Sequence, residues 1–299
     1  MNKGYKSIVL IKQVPDTKNI SGNVMKEDGT VNRAALPAIF NPDDLNALEM
    51  AITIREEFGG SISVITMGPP RSAEILRESL YRGADEVIQL SDKRFAGADT
   101  LATAYTLSKA IKKLGTFDFV FCGRQAIDGD TAQVGPQVAG KLDIPHITFV
   151  ENIENIDDDI ITVKRTIEGG FEILQTKIPV LLTVTGTANE PRYPSSKLMM
   201  IYKKAKSLAE IESEYKSNSE NKNVEFTTKE LEKQKLFIKT WKVEDIDIDI
   251  NDCGSKGSPT RVAKVENVHL VPTSIKKIDP NIQSIRELIS ELISEHILG

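Results

Sequence analysis

The chain has 299 residues, 40% hydrophobic and 27% charged, with a formal net charge of -5. That is the composition of a water-soluble globular protein able to bury a core, and the length sets a prior of about two domains. The acidic balance argues against a broad nucleic-acid face, which needs clustered basic charge.

In chain order, residues 7–14 (SIVLIKQV) read as a strand, too short and too soon charged for a secretory leader. Residues 43–58 carry Leu45, Leu48, Ile52 and Phe58 near helical spacing, after Asn41-Pro42-Asp43-Asp44: a cap residue, a proline in the first turn and two acids favoured by the helix dipole. Residues 61–67 (SISVITM) form a strand broken by Gly68-Pro69-Pro70, 71–82 a helix ending at Gly83, and 86–90 a short strand. A helix over 99–114 stops at Gly115, and the apolar run 117–121 is a strand. After it comes the loop CGRQAIDGDTAQVGP, turning helix-like by Asp128–Thr131 and running as helix to about Leu142.

Short continuous apolar strands alternating with amphipathic helices imply a parallel sheet covered on both faces, with ligands delivered at the strands' carboxyl ends. Four ends are candidates: 13–17, 67–70, 91–94 and 123–131. Beyond Pro145, 146–152, 160–166 and 171–176 are β-like, with Gly169-Gly170 as a hairpin turn, and 180–185 reads as another buried strand. Two prolines interrupt NEPRYPSSKLMM, a polar helical run reaches about Lys216, and 217–226 is linker-like. The end is an amphipathic helix with Ile282, Ile285, Leu288, Ile289, Leu292 and Ile293 on one stripe. The expected fold is α/β: a Rossmann-like doubly wound parallel sheet, a small antiparallel hairpin region and a C-terminal arm. The expected division is 1–190 for the nucleotide-binding domain, 191–226 for an exposed loop and helix, and 227–299 for the C-terminal segment.

Only Cys122 and Cys253 occur, with no CxxC pair, and the three histidines are scattered. No metal site is expected, and the thiols read as reduced in a cytoplasmic protein. No stretch approaches the roughly 20 apolar residues of a membrane helix. Neither GxGxxG after the first strand nor GxxxxGK[ST] is present. Gly123, Gly129 and Gly135 nevertheless permit close backbone approach, amides at a helix start bind phosphate, Thr131 and Gln133 can donate, and Arg124 can neutralise an anion. Asp128 and Asp130 oppose this unless they point away, cap the helix or hold ribose hydroxyls. Chemistry alone leaves a nucleotide loop and a well-capped connection both open.

NPDDLNALEMAITIRE, GADEVIQLSD, CGRQAIDGDTAQVGP, NEPRYPSSKLMMI and, later, DCGSKGSPTRVAKV resemble, in order, the β subunit of electron transfer flavoproteins, including FixA-type proteins. The resemblance spans nearly all of residues 5–265; the final thirty-odd residues go beyond it. It implies an adenine nucleotide at the strand ends, held by Leu10, by Asn41, Pro42, Asp43 and Asp44, by Met67, and by the loop Gly123, Arg124, Gln125, Ala126, Ile127, Asp128, Gly129, Asp130, Thr131, Ala132, Gln133 and Val134. KQVPDT (12–17) resembles the branch whose β subunit holds FAD rather than AMP and takes hydride from NADH. This adds Val14, Pro15 and Asp16, with Pro15 shaping an open strand mouth, although an ordinary strand-ending turn stays open there. Electrons would pass to ferredoxin and, through the FAD of an α subunit, to a dehydrogenase of acyl-CoA, enoyl-CoA or 2-hydroxy-acid type. No catalytic side chain is expected. Residues 190–201 resemble the family's docking loop, with Tyr193, Leu198, Met199 and Met200 as anchor; a buried helix start is the competing view. The last helix either clasps the α subunit or packs on its own chain.

Overall fold

The computed structural model describes residues 4–16, 37–217, 224–261 and 276–294. Residues 1–261 make one compact unit and 262–299 a second.

The first unit is built on a ten-stranded sheet: β1 (Tyr5–Ile11), β4 (Gly60–Met67), β5 (Glu86–Leu90), β6 (Phe119–Gly123), β7 (His146–Asp157), β8 (Ile160–Ile167), β9 (Gly170–Lys177), β10 (Val180–Val184), β11 (Lys206–Ser207) and β12 (Phe237–Trp241). Their spatial order is β11-β12-β5-β4-β1-β6-β10-β7-β8-β9. All pairings from β11 to β7 are parallel, and β7-β8-β9 continues as an antiparallel meander. Between the strands lie α1 (Pro42–Phe58), α2 (Ala73–Arg82), α3 (Thr100–Leu114) and α4 (Val134–Leu142). The Rossmann-like α/β expectation therefore holds.

Alternation along the strands divides the interior into two cores. Val9, Ile11, Ile62, Val64, Phe119, Phe121 and Leu182 pack with α1 and α2. Ile8, Leu10, Ile65, Ile88, Val120 and Leu181 pack with α3 and α4 on the other side. Neighbouring residues of one strand thus point into different layers, which is why these strands read as unbroken apolar runs.

The expected strand 7–14 is two strands. Its ladder ends at Lys12, whose N–H is taken by the Asp44 carboxylate at 2.8 Å and whose carbonyl accepts from Asn41 N at 3.0 Å. The chain resumes as β2 (Gln13–Pro15), paired antiparallel with β3 (Ala38–Phe40) in a separate two-stranded sheet. Pro15 tolerates this place because an edge does not require its missing donor.

Beyond β10, α5 (Ser196–Tyr202) and α6 (Leu208–Ser217) flank β11, and α7 (Val224–Lys233) follows. The linker expected over 217–226 is helical from Val224 on; 218–223 lie outside the described residues, as do Thr17, 262–265 and 295–299 of other expected segments. β12, unanticipated, joins the parallel sheet beside β5. In the second unit α8 (Ile282–Ser294) starts at Asn281, whose side chain accepts from Ser284 N at 2.8 Å. Among the described residues, no helix is long and apolar enough to cross a membrane.

Candidate nucleotide site at the strand tips

From β1 the chain steps outward to β4 and β5, then returns to the opposite flank of β1 as β6. The tips of β1 and β6 thus border the switch point of the sheet, where open α/β sheets leave a crevice for ligands. The start of α1 closes it from below. Asn41 and Asp44 are both buried and both reach across. Asp44 Oδ2 accepts from Lys12 N at 2.8 Å, and Oδ1 accepts from Gly123 N at 2.9 Å, so one carboxylate joins the two tips. Asn41 donates from Nδ2 to Gln125 O (2.8 Å) and accepts at Oδ1 from Ile127 N (3.1 Å). Asn41 sits at the N-cap position as expected, but its side chain does not cap α1. Its carbonyl takes Asp44 N and Leu45 N, leaving the side chain to pin the loop.

That loop is longer than the sequence suggests. Asp130 and Ala132 have φ of 50° and 51°, a left-handed backbone that cannot continue a helix, so α4 begins only at Val134 and Asp128–Thr131 is not a helix start. The two acids do not cap it. Lys12 Nζ lies 2.7 Å from Asp128, and Gln125 Nε2 donates to Asp130 at 2.8 Å. The expected repulsion toward a phosphate is thereby reduced. Gln133, at the N-cap of α4, accepts from Thr100 Oγ1 at 3.1 Å. Val134 and Gly135 carry N–H groups that the first turn of a helix leaves free for an anion.

Two glycines serve a different purpose from the one expected. A Cβ on Gly123 would stand 2.5 Å from Asp44 Oδ1, and one on Gly135 2.8 Å from both Cys122 Sγ and Thr183 Cγ2. Each permits a helix to press on a strand. Of the three loop glycines, Gly129 alone faces open space. Arg124 sits over the Phe149 ring and pairs with Asp43, its Nε 3.5 Å from Oδ2 with neither buried atom hydrogen-bonded; the side chain is partly exposed, which leaves its outer nitrogens within reach of an anion.

Burial drives the Asp44 carboxyl up to about 7 from 3.8, against the lowering effect of the Lys12, Asn41 and Gly123 hydrogen bonds; burial also raises Asp43. Between those values the folded chain holds a proton that the unfolded chain has released. The group's stabilising contribution is full below pH 3.8 and is lost as pH rises through 7. Asp44→Asn resembles the protonated acid and abolishes this dependence. The stability of wild type relative to the variant should fall between pH 4 and 7.5, by at most on the order of 4 kcal/mol at about 1.4 per proton and pH unit. Parallel urea-midpoint profiles would exclude it.

The remaining candidates divide. Met67 ends β4 one strand away, half-buried, at the wall of a cavity of about 870 Å³. That cavity runs along the tips of β4, β5 and β12, with Pro69, Pro70, Phe95 and Leu208 as apolar walls and Lys93, Arg94 and Lys242 among its basic groups. Its size is that of a pocket for a small organic ligand. Leu10 lies deeper, its side chain in the α3–α4 core, so only its backbone faces the tip region. Val14 is buried, and Asp16 N donates to Pro37 O at 2.8 Å, closing the β2–β3 pair. Lys12 was missed; its signal was a lone cation at the end of an apolar run facing an acidic loop. Of the docking candidates, Tyr193 is 92% and Met200 65% exposed, Met199 is exposed and Leu198 half-buried; no residue of α5 is buried, which disposes of the buried helix start.

Residues 28–217 match the family described as "Electron transfer flavoprotein domain". The chain is 44% identical to the electron transfer flavoprotein subunit beta of Thermoanaerobacterium thermosaccharolyticum, over 97% of this chain and 99% of that one. It belongs to the electron transfer flavoprotein family, as a β-subunit type chain. Other relatives are the caffeyl-CoA reductase-Etf complex subunit CarD of Acetobacterium woodii, 38% identical over 97% of this chain and 99% of that one, and the FixA protein of Azorhizobium caulinodans, 40% identical over 86% and 83%.

Proposed function

We propose that this chain is the β subunit of a cytoplasmic, electron-bifurcating flavoprotein heterodimer. It would hold FAD across the strand tips and take electrons from NADH. One electron would go to ferredoxin, the other by way of an α-subunit FAD to a CoA-ester or 2-hydroxy-acid dehydrogenase. The observation that carries this reading is the apolar cavity beside Met67. A mononucleotide at the Asn41–Val134 crevice would leave that space unused, whereas a dinucleotide has a second, planar half to place there. Relatives whose names place them in a caffeyl-CoA reductase complex and with an acryloyl-CoA reductase support a reductase partner.

The residues fit such a group. The free amides of Val134 and Gly135 and the Arg124 guanidinium suit phosphates. Lys12 and Gln125 occupy the carboxylates that would repel them. The cavity's Met, Pro and Phe walls offer an apolar surface to a ring. When bound, the flavin supplies hydride acceptance and one-electron release, and the chain supplies orientation and polarity. The C-terminal segment from 227 on would clasp the α subunit.

The heterodimer purified with its α subunit should contain two flavins per αβ unit, and anaerobic NADH should bleach its visible absorption. One flavin with one AMP and no response to NADH would replace this reading with a non-bifurcating carrier in which AMP fills the crevice.

A further inference from the structure

We propose that Arg192 is a positioning residue that pre-sets the exposed docking face of residues 193–201; the inference rests on the docking reading above. Residues 189–195 cross from β10 to α5 without regular structure of their own. Such a segment would ordinarily sample many conformations, yet this one is tied down along its length. Asn46 Nδ2 donates to Asn189 O at 2.7 Å, and Asn189 Nδ2 returns a bond to Asn46 O at 3.1 Å. Ser195 N donates to Tyr81 O at 2.9 Å, and Arg82 donates to the carbonyl of Arg192.

Arg192 is the centre of this clamp. Its backbone N–H donates to Glu49 Oε2 at 2.9 Å. Its guanidinium reaches Glu49 through Nε and Nη2, each at 2.9 Å in its shortest contact, and Glu56 through Nη1 at 2.5 Å and Nη2 at 2.9 Å. Glu49 and Glu56 stand seven residues, two turns, apart on α1, so a single planar fork spans two carboxylates of one helix stripe. The hydrogen bonds from Arg192 hold the Glu56 carboxyl below its usual range. A lysine ammonium can meet one of these carboxylates but not both in plane.

The residue after this anchor is Tyr193, almost wholly exposed, followed by Met199, Met200 and Ile201, all exposed. The contrast is abrupt: a charged residue is held through all three guanidinium nitrogens, and the next aromatic touches almost nothing. Fixing the backbone before encounter reduces the ordering that docking must impose, which is how a small apolar face binds usefully. The clamp touches neither the crevice nor the cavity, so its effect should appear in association and not in electron transfer within the complex.

The test uses the αβ heterodimer with Arg192→Lys, Glu56→Gln and Tyr193→Ala, and a purified CoA-ester reductase flavoprotein that the wild type reduces. Arg192→Lys and, more weakly, Glu56→Gln should speed amide hydrogen exchange over 193–203 at least tenfold, with exchange in the middle of α1 unchanged. KM for the heterodimer should rise about tenfold for Arg192→Lys at unchanged kcat. Unaltered exchange overturns the inference. Faster exchange with an unaltered KM, while Tyr193→Ala raises KM, also overturns it but leaves the docking reading intact. An unaltered KM in Tyr193→Ala as well removes the docking reading and the inference with it.

Discussion

Asn41→Ala is expected to release the bound nucleotide while the fold survives. The side chain does no work for its own helix: α1 keeps its start through the Asn41 carbonyl and Pro42, neither of which the substitution alters. What disappears is the pair of bonds to Gln125 O and Ile127 N, together with the side-chain bond to the Asp44 carboxyl, at a position with no solvent exposure. Leaving these two half-buried backbone groups unpaired costs at most about 1–3 kcal/mol each, the full figure applying only where water cannot reach them. The loop can escape part of that cost by lifting toward solvent, and it is the loop, with Arg124 and the α4 amides beyond it, that forms the proposed phosphate site. Global stability should therefore drop by about 2 kcal/mol or less, while nucleotide affinity falls at least tenfold. Nucleotide released on dilution of the purified heterodimer, measured by absorbance and chromatography, decides the matter. Retention equal to wild type would mean that the loop holds its shape without Asn41 and that the crevice is not organised as described.

The parallel half of the fold was legible because burial on both faces leaves a plain record: runs such as SISVITM and EVIQL, followed by helices that stop at glycine. β4, α2, β5 and α3 accordingly appear where the pattern puts them, within two residues at their ends. β12 was hidden because Lys239 and Thr240 interrupt its short apolar run near the flank of the sheet, where only Ile238 is fully buried. Long-range polar contacts were the least visible. Nothing in NPDDLN says that its asparagine serves a loop 84 residues away instead of the helix beside it, because cap chemistry and cross-chain bonding use the same side chain. The glycines misled in the same way. Gly123 and Gly135 look like a phosphate cradle in sequence, but their missing Cβ atoms make room for Asp44 and for Cys122 with Thr183.

That reassignment makes Gly123→Ala the most damaging single methyl group the strand tips can receive. An added Cβ would lie 2.5 Å from Asp44 Oδ1 and 2.7 Å from the Asp43 carbonyl carbon, far inside the separation of about 3.5–4 Å at which such atoms attract. The Asp44 oxygen could turn aside only by abandoning Gly123 N, leaving a buried amide and a buried carboxylate without each other. The Asp43 carbonyl belongs to the first turn of α1, which Pro42 and the packed Leu48 and Ile52 hold in place, so the backbone cannot yield locally. Overpacking costs about 1–3 kcal/mol and a buried amide left unpaired about 1–3, together on the order of 2–6 kcal/mol. For a domain stable by about 5–15 kcal/mol, that is a large share of the whole. Gly129→Ala, six residues along the same loop, meets no atom within 4 Å and should shift stability by no more than about 0.5 kcal/mol. Urea midpoints of the two variants should therefore separate widely. If Gly123→Ala unfolds within 1 kcal/mol of Gly129→Ala, α1 does not press on β6 here, and Asp44 is not the bridge between the two strand tips.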